Sequence, residues 1–146
     1  MSRRWTVLVA AVLGAAVVSG LGPLPAAGQA DDRTRVFAAP PDRVWAVVRS
    51  VLISLGWKVD KEDPAVGWLL TESKRLEGED YGVYAKGTRH RLRVVVNAQD
   101  GGRTAVTVER RVWREERVLW MDKEEDVQVA DRTVERQVLD AIGRSL

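Results

Sequence analysis

The 146-residue sequence contains no cysteine and a single histidine, His90. Without cysteine there is no disulfide, no thiol nucleophile and no thiolate metal ligand, and the folded core must hold by packing alone. No cysteine follows the N-terminal apolar run, so the usual lipoprotein anchor is not expected. A lone histidine has no partner with which to build a metal or catalytic site, and His90 reads as an ordinary residue at the start of a strand. Serine is as poorly placed. Ser50 and Ser54 fall inside a predicted helix, Ser73 follows a strand, Ser145 is terminal, and none lies in a Gly-x-Ser-x-Gly elbow.

An excess of one charge is also missing. The first thirty residues carry two Arg and no acid, so 23 basic residues less two leave 21, against 21 acidic. A balanced chain of this kind is not built to neutralise phosphate, which argues against a nucleic-acid partner. There is no internal repeat and no low-complexity segment.

What is present begins with a leader. Arg3 and Arg4 precede an apolar run from Trp5 to Leu21, which ends in Gly22-Pro23 and Pro25 and then in the small residues around Ala26, Ala27 and Ala30. That layout predicts a secretory signal peptide over residues 1–30, cleaved after Ala30, and an exported, periplasmic protein. The alternative is an uncleaved membrane anchor, although the run is short of the ~20 residues that span a bilayer and ends in helix breakers. Ser2-Arg3-Arg4-Trp5 matches a twin-arginine signal only loosely.

Residues 31–146 read as one domain. Thr34–Phe37 is a short strand, and Pro40-Pro41-Asp42 then opens a helix, with proline in the first turn and an acid beside the positive end of the dipole. Val44, Val48, Val51, Leu52 and Leu55 make its apolar stripe, with Trp45 at the edge, and Gly56 stops it. Trp57–Asp60 and Trp68–Glu72 form a hairpin. Ser73–Thr88 has no sustained period and is expected to be mostly a long loop, with a short strand near Tyr81–Tyr84.

The clearest hairpin follows. His90, Leu92, Val94, Val96 and Ala98 share one parity, and Val106, Val108 and Val112 share the matching one. A two-residue loop at Gly101-Gly102 would set the apolar face of one strand against the polar face of the other. A three-residue loop, Asp100-Gly101-Gly102, instead pairs Gln99 with Arg103, Val96 with Val106 and Val94 with Val108. It also sets Arg93 opposite Glu109 and Arg91 opposite Arg111. Arg117–Met121 is a last short strand, and the acids Asp122–Asp126 lead into a closing helix striped by Val127, Ala130, Val134, Val138, Ile142 and Leu146. The expected fold class is α+β: a two-layer, helix-grip-like domain whose antiparallel sheet packs against an N-terminal and a C-terminal helix.

The stretch Ala39-Pro40-Pro41-Asp42-Arg43-Val44-Trp45, then Leu52 and Leu55-Gly56-Trp57, then Gly67-Trp68-Leu69-Leu70-Thr71-Glu72 resembles the helix-grip domains of the outer-membrane assembly lipoprotein BamC and related exported proteins. The resemblance spans about Arg33 to Leu146, departing from the lipoprotein members in lacking the acylated cysteine and in having one such domain. It is similar, more loosely, to START-like helix-grip proteins, which bind apolar ligands beneath a long C-terminal helix. The resemblance implies a non-catalytic periplasmic module that contacts envelope proteins, with no catalytic residues, cofactor or metal to carry over.

Glu77, Glu79 and Asp80 are expected in a solvated loop, and Asp122, Glu124, Glu125 and Asp126 as helix-start acids, since the spacing is not that of a calcium loop. Arg89, Arg91, Arg93, Arg103, Arg111, Arg114 and Arg117 concentrate on one hairpin, with Trp113 on the parity of Arg111. Arg and Trp are the types enriched at interface hot spots, so Arg91, Arg93, Arg111 and Trp113 are the candidate partner-binding residues. Trp45, Trp57 and Trp68 are assigned to the core, while Trp113 and Trp120 are left between core and interface. The leading expectation is a protein–protein interaction or assembly module of the envelope, docking an envelope protein or the membrane surface. A carrier of a small apolar ligand or lipid in a cleft under the C-terminal helix is the alternative, and an enzyme is the third.

Overall fold

The structure, a computed structural model, describes residues 31–146; the expected signal peptide lies outside the described residues. The elements are β1 (Thr34–Phe37), α1 (Pro41–Ser54), β2 (Val59–Asp63), β3 (Trp68–Thr71), β4 (Lys74–Asp80), β5 (Tyr84–Gln99), β6 (Arg103–Val118), β7 (Met121–Asp126) and α2 (Thr133–Ser145). Seven strands make one antiparallel sheet in the order β1-β6-β5-β3-β2, with β4 paired to β5 and β7 to β6.

Helix α1 starts and stops as its sequence dictates. Pro41 takes the first helical position, where a missing N–H costs nothing, and the Val44 amide donates to the Pro40 carbonyl. At the other end Gly56 adopts φ +79°. Its amide donates to Ile53 at 3.0 Å and that of Trp57 to Leu52 at 2.8 Å, the paired bonds of a Schellman stop. Leu52 and Trp57, brought together by this turn, are both buried.

The three-residue loop at Asp100–Gly102 and its register are as expected. Gln99 pairs with Arg103, Val96 with Val106, Val94 with Val108, Arg93 with Glu109 and Arg91 with Arg111. One parity of this hairpin, Leu92, Val94, Val96, Val106 and Val108, joins Val44, Val48, Val51 and Leu52 of α1 and Val138, Leu139 and Ile142 of α2 in one buried cluster. Each large aliphatic side chain removed from water here contributes roughly 1.5–3 kcal/mol. The two helices also touch each other.

Three expectations are corrected. Ser73–Thr88 is not mainly a loop: Lys74–Asp80 is strand β4, and β5 begins at Tyr84. Gly78 lies opposite Gly87, so closely that a Cβ on Gly78 would sit 2.1 Å from the Lys86 carbonyl oxygen and one on Gly87 2.3 Å from that of Glu77. Two glycines that read as loop punctuation are what lets these strands pair. Second, the acids at Asp122–Asp126 lie not before a helix but in strand β7, and the last strand does not span Arg117–Met121, because β6 continues to Val118 and turns at Leu119-Trp120. Third, Val127 and Ala130 precede the helix. The Val127 amide still bonds the Val112 carbonyl, and α2 starts only at Thr133, whose amide and hydroxyl both donate to the Asp131 carboxylate.

Ile142 is fully buried where α2 meets the cluster, whereas Ile53 on α1 is 62% exposed. Ile142→Ala should lower the free energy of unfolding by about 2–5 kcal/mol. Ile53→Ala should change it by less than about 0.5 kcal/mol, as read by urea titration.

Candidate functional site

The β5–β6 hairpin extends well beyond its residues that share the buried cluster with the two helices. Near Gln99 and Arg103 it is flanked by β3 and β1; towards Tyr84 and Val118 it is flanked by β4 and β7. The change of neighbour falls at Leu92, whose amide donates to the Thr71 hydroxyl at 3.0 Å. The buried Thr71 side chain thus supplies the acceptor that β3 no longer offers. Beyond it lies a four-stranded distal sheet in the order β4-β5-β6-β7, and its two faces differ in how their charges are used.

Residues directly opposite one another share a face, so the distal sheet is organised in rows. One face carries Arg75, Arg89, Trp113 and Asp126 in one row, and Asp80, Ala85, Arg117 and Asp122 in another. This face is closed by ion pairs: Arg75 with Glu115 at 2.9 Å and Asp80 at 3.1 Å, Arg117 with Asp122 at 2.6 Å, and Arg111 with Asp126 at 2.8 Å. Strand β7 forms here because its acids lie against the arginines of β6, and that cross-strand complementarity overrides the low strand propensity of Asp and Glu.

The candidate partner-binding residues lie on this closed face or its continuation. Arg93 pairs with Glu109 at 3.1 Å. The guanidinium groups of Arg111 and Arg91 stand 4.7 and 5.7 Å from the centre of the Trp113 ring. The structure therefore brings Arg91, Arg111 and Trp113 together, but Trp113 is 4% exposed and unavailable as a contact, and the acids neutralise Arg93 and Arg111. Sequence parity placed these residues on one face and Glu109 opposite Arg93; it could not show that β7 supplies the counter-charges of Arg111.

The opposite face, on the same side of the sheet as the core, is open. Glu77, Thr88, Arg114 and Glu125 form one row, and Glu79, Lys86, Glu116 and Lys123 the next, with Tyr84 beyond. These side chains line a groove of about 490 Å³. Along the second row the charges run minus, plus, minus, plus. Yet among the described residues Glu79, Lys86, Arg114, Glu116, Lys123 and Glu125 form no ion pair within 4.0 Å. Glu77 accepts a hydrogen bond from the Thr88 hydroxyl at 2.9 Å. Glu77 and Glu79, expected in a solvated loop, are thus ordered on a sheet face.

The distal sheet ends in two adjacent turns that no single stretch of sequence announces. Tyr81, Val83 and Tyr84 come from one, and Val118, Leu119, Trp120 and Met121 from the other; all seven are at least 40% exposed, and Trp120 is 84% exposed. Trp120, left open between core and interface, belongs to the surface. Leu119 stands at φ +58°, the left-handed region that costs a leucine roughly 1–2 kcal/mol.

At the base of the distal sheet, His90 lies in the middle of β5, not at a strand start. Its ring centre is 4.8 Å from that of Trp57, and its Nδ1 accepts from Arg110 Nε at 3.0 Å. Burial, then the positive charges of Arg110 and Lys74, lower its pKa to about 4. The neutral ring serves here as a packed acceptor. A second buried polar group, Glu135 in the first turn of α2, accepts from Arg132 at 3.2 Å, and its Oε2 has no partner. The described residues contain no cluster of three or more His, Asp and Glu that could hold a metal ion.

The chain matches no family model and no curated protein.

The histidine makes a pH prediction. Its pKa is lower folded than unfolded, so between about pH 6.5 and 4 the unfolded chain binds the extra proton, and stability falls as pH falls through that window. The loss should be on the order of 2–3 kcal/mol and should be largely absent in His90→Gln, as measured by urea unfolding at pH 7 and pH 4.

Proposed function

We propose that the protein is a non-catalytic component of the cell envelope that works in the periplasm as a protein–protein interaction or assembly module, with the open groove of the distal sheet as its docking surface. The observation that carries this reading is the contrast between the two faces: one has spent most of its charges on internal ion pairs, the other holds six charged side chains unpaired. A groove whose rows carry four acidic and three basic groups, alternating in sign along Glu79, Lys86, Glu116 and Lys123, suits neither a polyanion nor an anionic bilayer. It suits a protein segment of matching mixed charge, for which electrostatic complementarity fixes register. Export by the N-terminal leader, the two-layer helix-grip-like arrangement and the kinship with BamC-like domains belong to the same proposal. They are supported by the leader's layout and by the motif from Ala39 to Glu72.

A ligand carrier would need room beneath α2. Val138, Leu139 and Ile142 are fully buried in the common cluster, which favours docking over carriage.

Photo-cross-linking residues at positions 79 and 123, in the groove, should capture the same discrete envelope protein in intact cells, while position 93 on the closed face should not. Arg114→Glu should reduce that capture about fivefold, the scale of a 1 kcal/mol loss, with the circular dichroism spectrum unchanged. Adducts that do not differ between the two faces would remove the groove from its assigned role.

A further inference from the structure

We infer that the two turns at the end of the distal sheet form a membrane-contacting tip, which enters the lipid interface of a bilayer through its apolar and aromatic side chains. This is a second surface, which adjoins the groove at Tyr84 but presents apolar groups where the groove presents charges.

Tyr81, Val83, Tyr84, Val118, Leu119, Trp120 and Met121 come from two turns that lie side by side, because Tyr84 pairs with Val118 and Val118 with Met121. A cluster of exposed apolar groups is a contact surface of some kind. Three observations select lipid as its occupant. First, the set contains one Trp and two Tyr, types whose amphipathic rings settle at the level of lipid headgroups. Second, four amides of the two turns are already satisfied within the chain, which lowers the cost of leaving water for a lipid interface. The Tyr81 amide donates to Tyr84 at 2.7 Å, Val83 to Tyr81 at 3.1 Å and Leu119 to Val83 at 2.6 Å, and the Gly82 amide donates to the Asp80 carboxylate at 2.9 Å. Third, a second copy of this chain would need about 20–30 residues a side for a stable dimer, and seven side chains on two turns fall well short. The flanking edges do not extend the patch, because β4 and β7 are charged along their length and discourage strand addition.

The collar beneath the tip carries Lys86, Arg117 and Lys123 against Glu79, Asp80, Glu116 and Asp122, so it has no positive excess. Entry is therefore driven by apolar contact, and should not depend on anionic lipid or on salt.

The absence of cysteine makes the test direct. A single cysteine at Val83→Cys, labelled with a polarity-sensitive fluorophore, reports the tip, and one at Ile53→Cys, equally exposed on α1, reports the body. With the full chain and phosphatidylcholine vesicles, the label at 83 should shift to the blue and that at 53 should not. Trp120→Ser combined with Met121→Ser should weaken the shift at least about tenfold, and raising the salt should leave it intact. No shift at position 83, equal shifts at both positions, or a shift that requires anionic lipid would each overturn the inference. Loss of the groove's cross-links with the shift at 83 retained would overturn the docking proposal alone.

Discussion

The parity of a single ladder governs this molecule. Along β5 and β6 alternate residues must face opposite sides, and both strands are sixteen residues long. Where α1 and α2 lie over the hairpin, one parity is Leu, Val and Val against Val and Val, and it is dry. Past His90 the same parity continues without a cover, and the residues on it become Thr88, Lys86 and Tyr84. The core and the groove are thus one face of one sheet, separated only by where the helices end. Thr71 marks the border: its hydroxyl accepts the Leu92 amide where β3 departs and β4 has not yet begun.

The part of the fold under the helices was legible because apolar periodicity encodes it. The stripe of α1, the Gly56 stop and the Asp100–Gly102 register all follow from burial on one face, which a one-residue slip would destroy. The distal sheet lacks that code. Strands β4 and β7 bury almost nothing, so neither shows alternation of apolar and polar residues, and both are held by cross-strand charge and by the ladder itself. Their signals were present but non-local: Asp122 is acidic because Arg117 lies across from it, and Gly78 is small because Gly87 does. Read singly, such residues look like loop.

The candidate site was half legible for the same reason. Arg91, Arg111 and Trp113 do meet, as parity required, but in a stacked arrangement in which Trp113 is buried and Arg111 is ion-paired. The residues that remain open, Lys86, Arg114, Glu116 and Lys123, are drawn from three strands. The apolar tip joins segments more than thirty positions apart in sequence. Tyr81 and Trp120 were each visible as isolated aromatics; only the pairing of Tyr84 with Val118 makes them neighbours.

The row structure of the distal sheet also constrains how such an arm can change length. Four strands share each row, and successive rows alternate between the ion-paired face and the open one. Inserting one residue into a single strand, unless a bulge such as that between Arg75 and Glu77 of β4 absorbed it, would carry every side chain beyond it to the wrong face, setting acids of the groove among the arginines. Lineages that lengthen or shorten this arm should therefore do so by two residues at a time, in paired strands. The reach of the tip from the body would then vary in steps of about 7 Å, while the groove and the helix-covered core keep their chemistry.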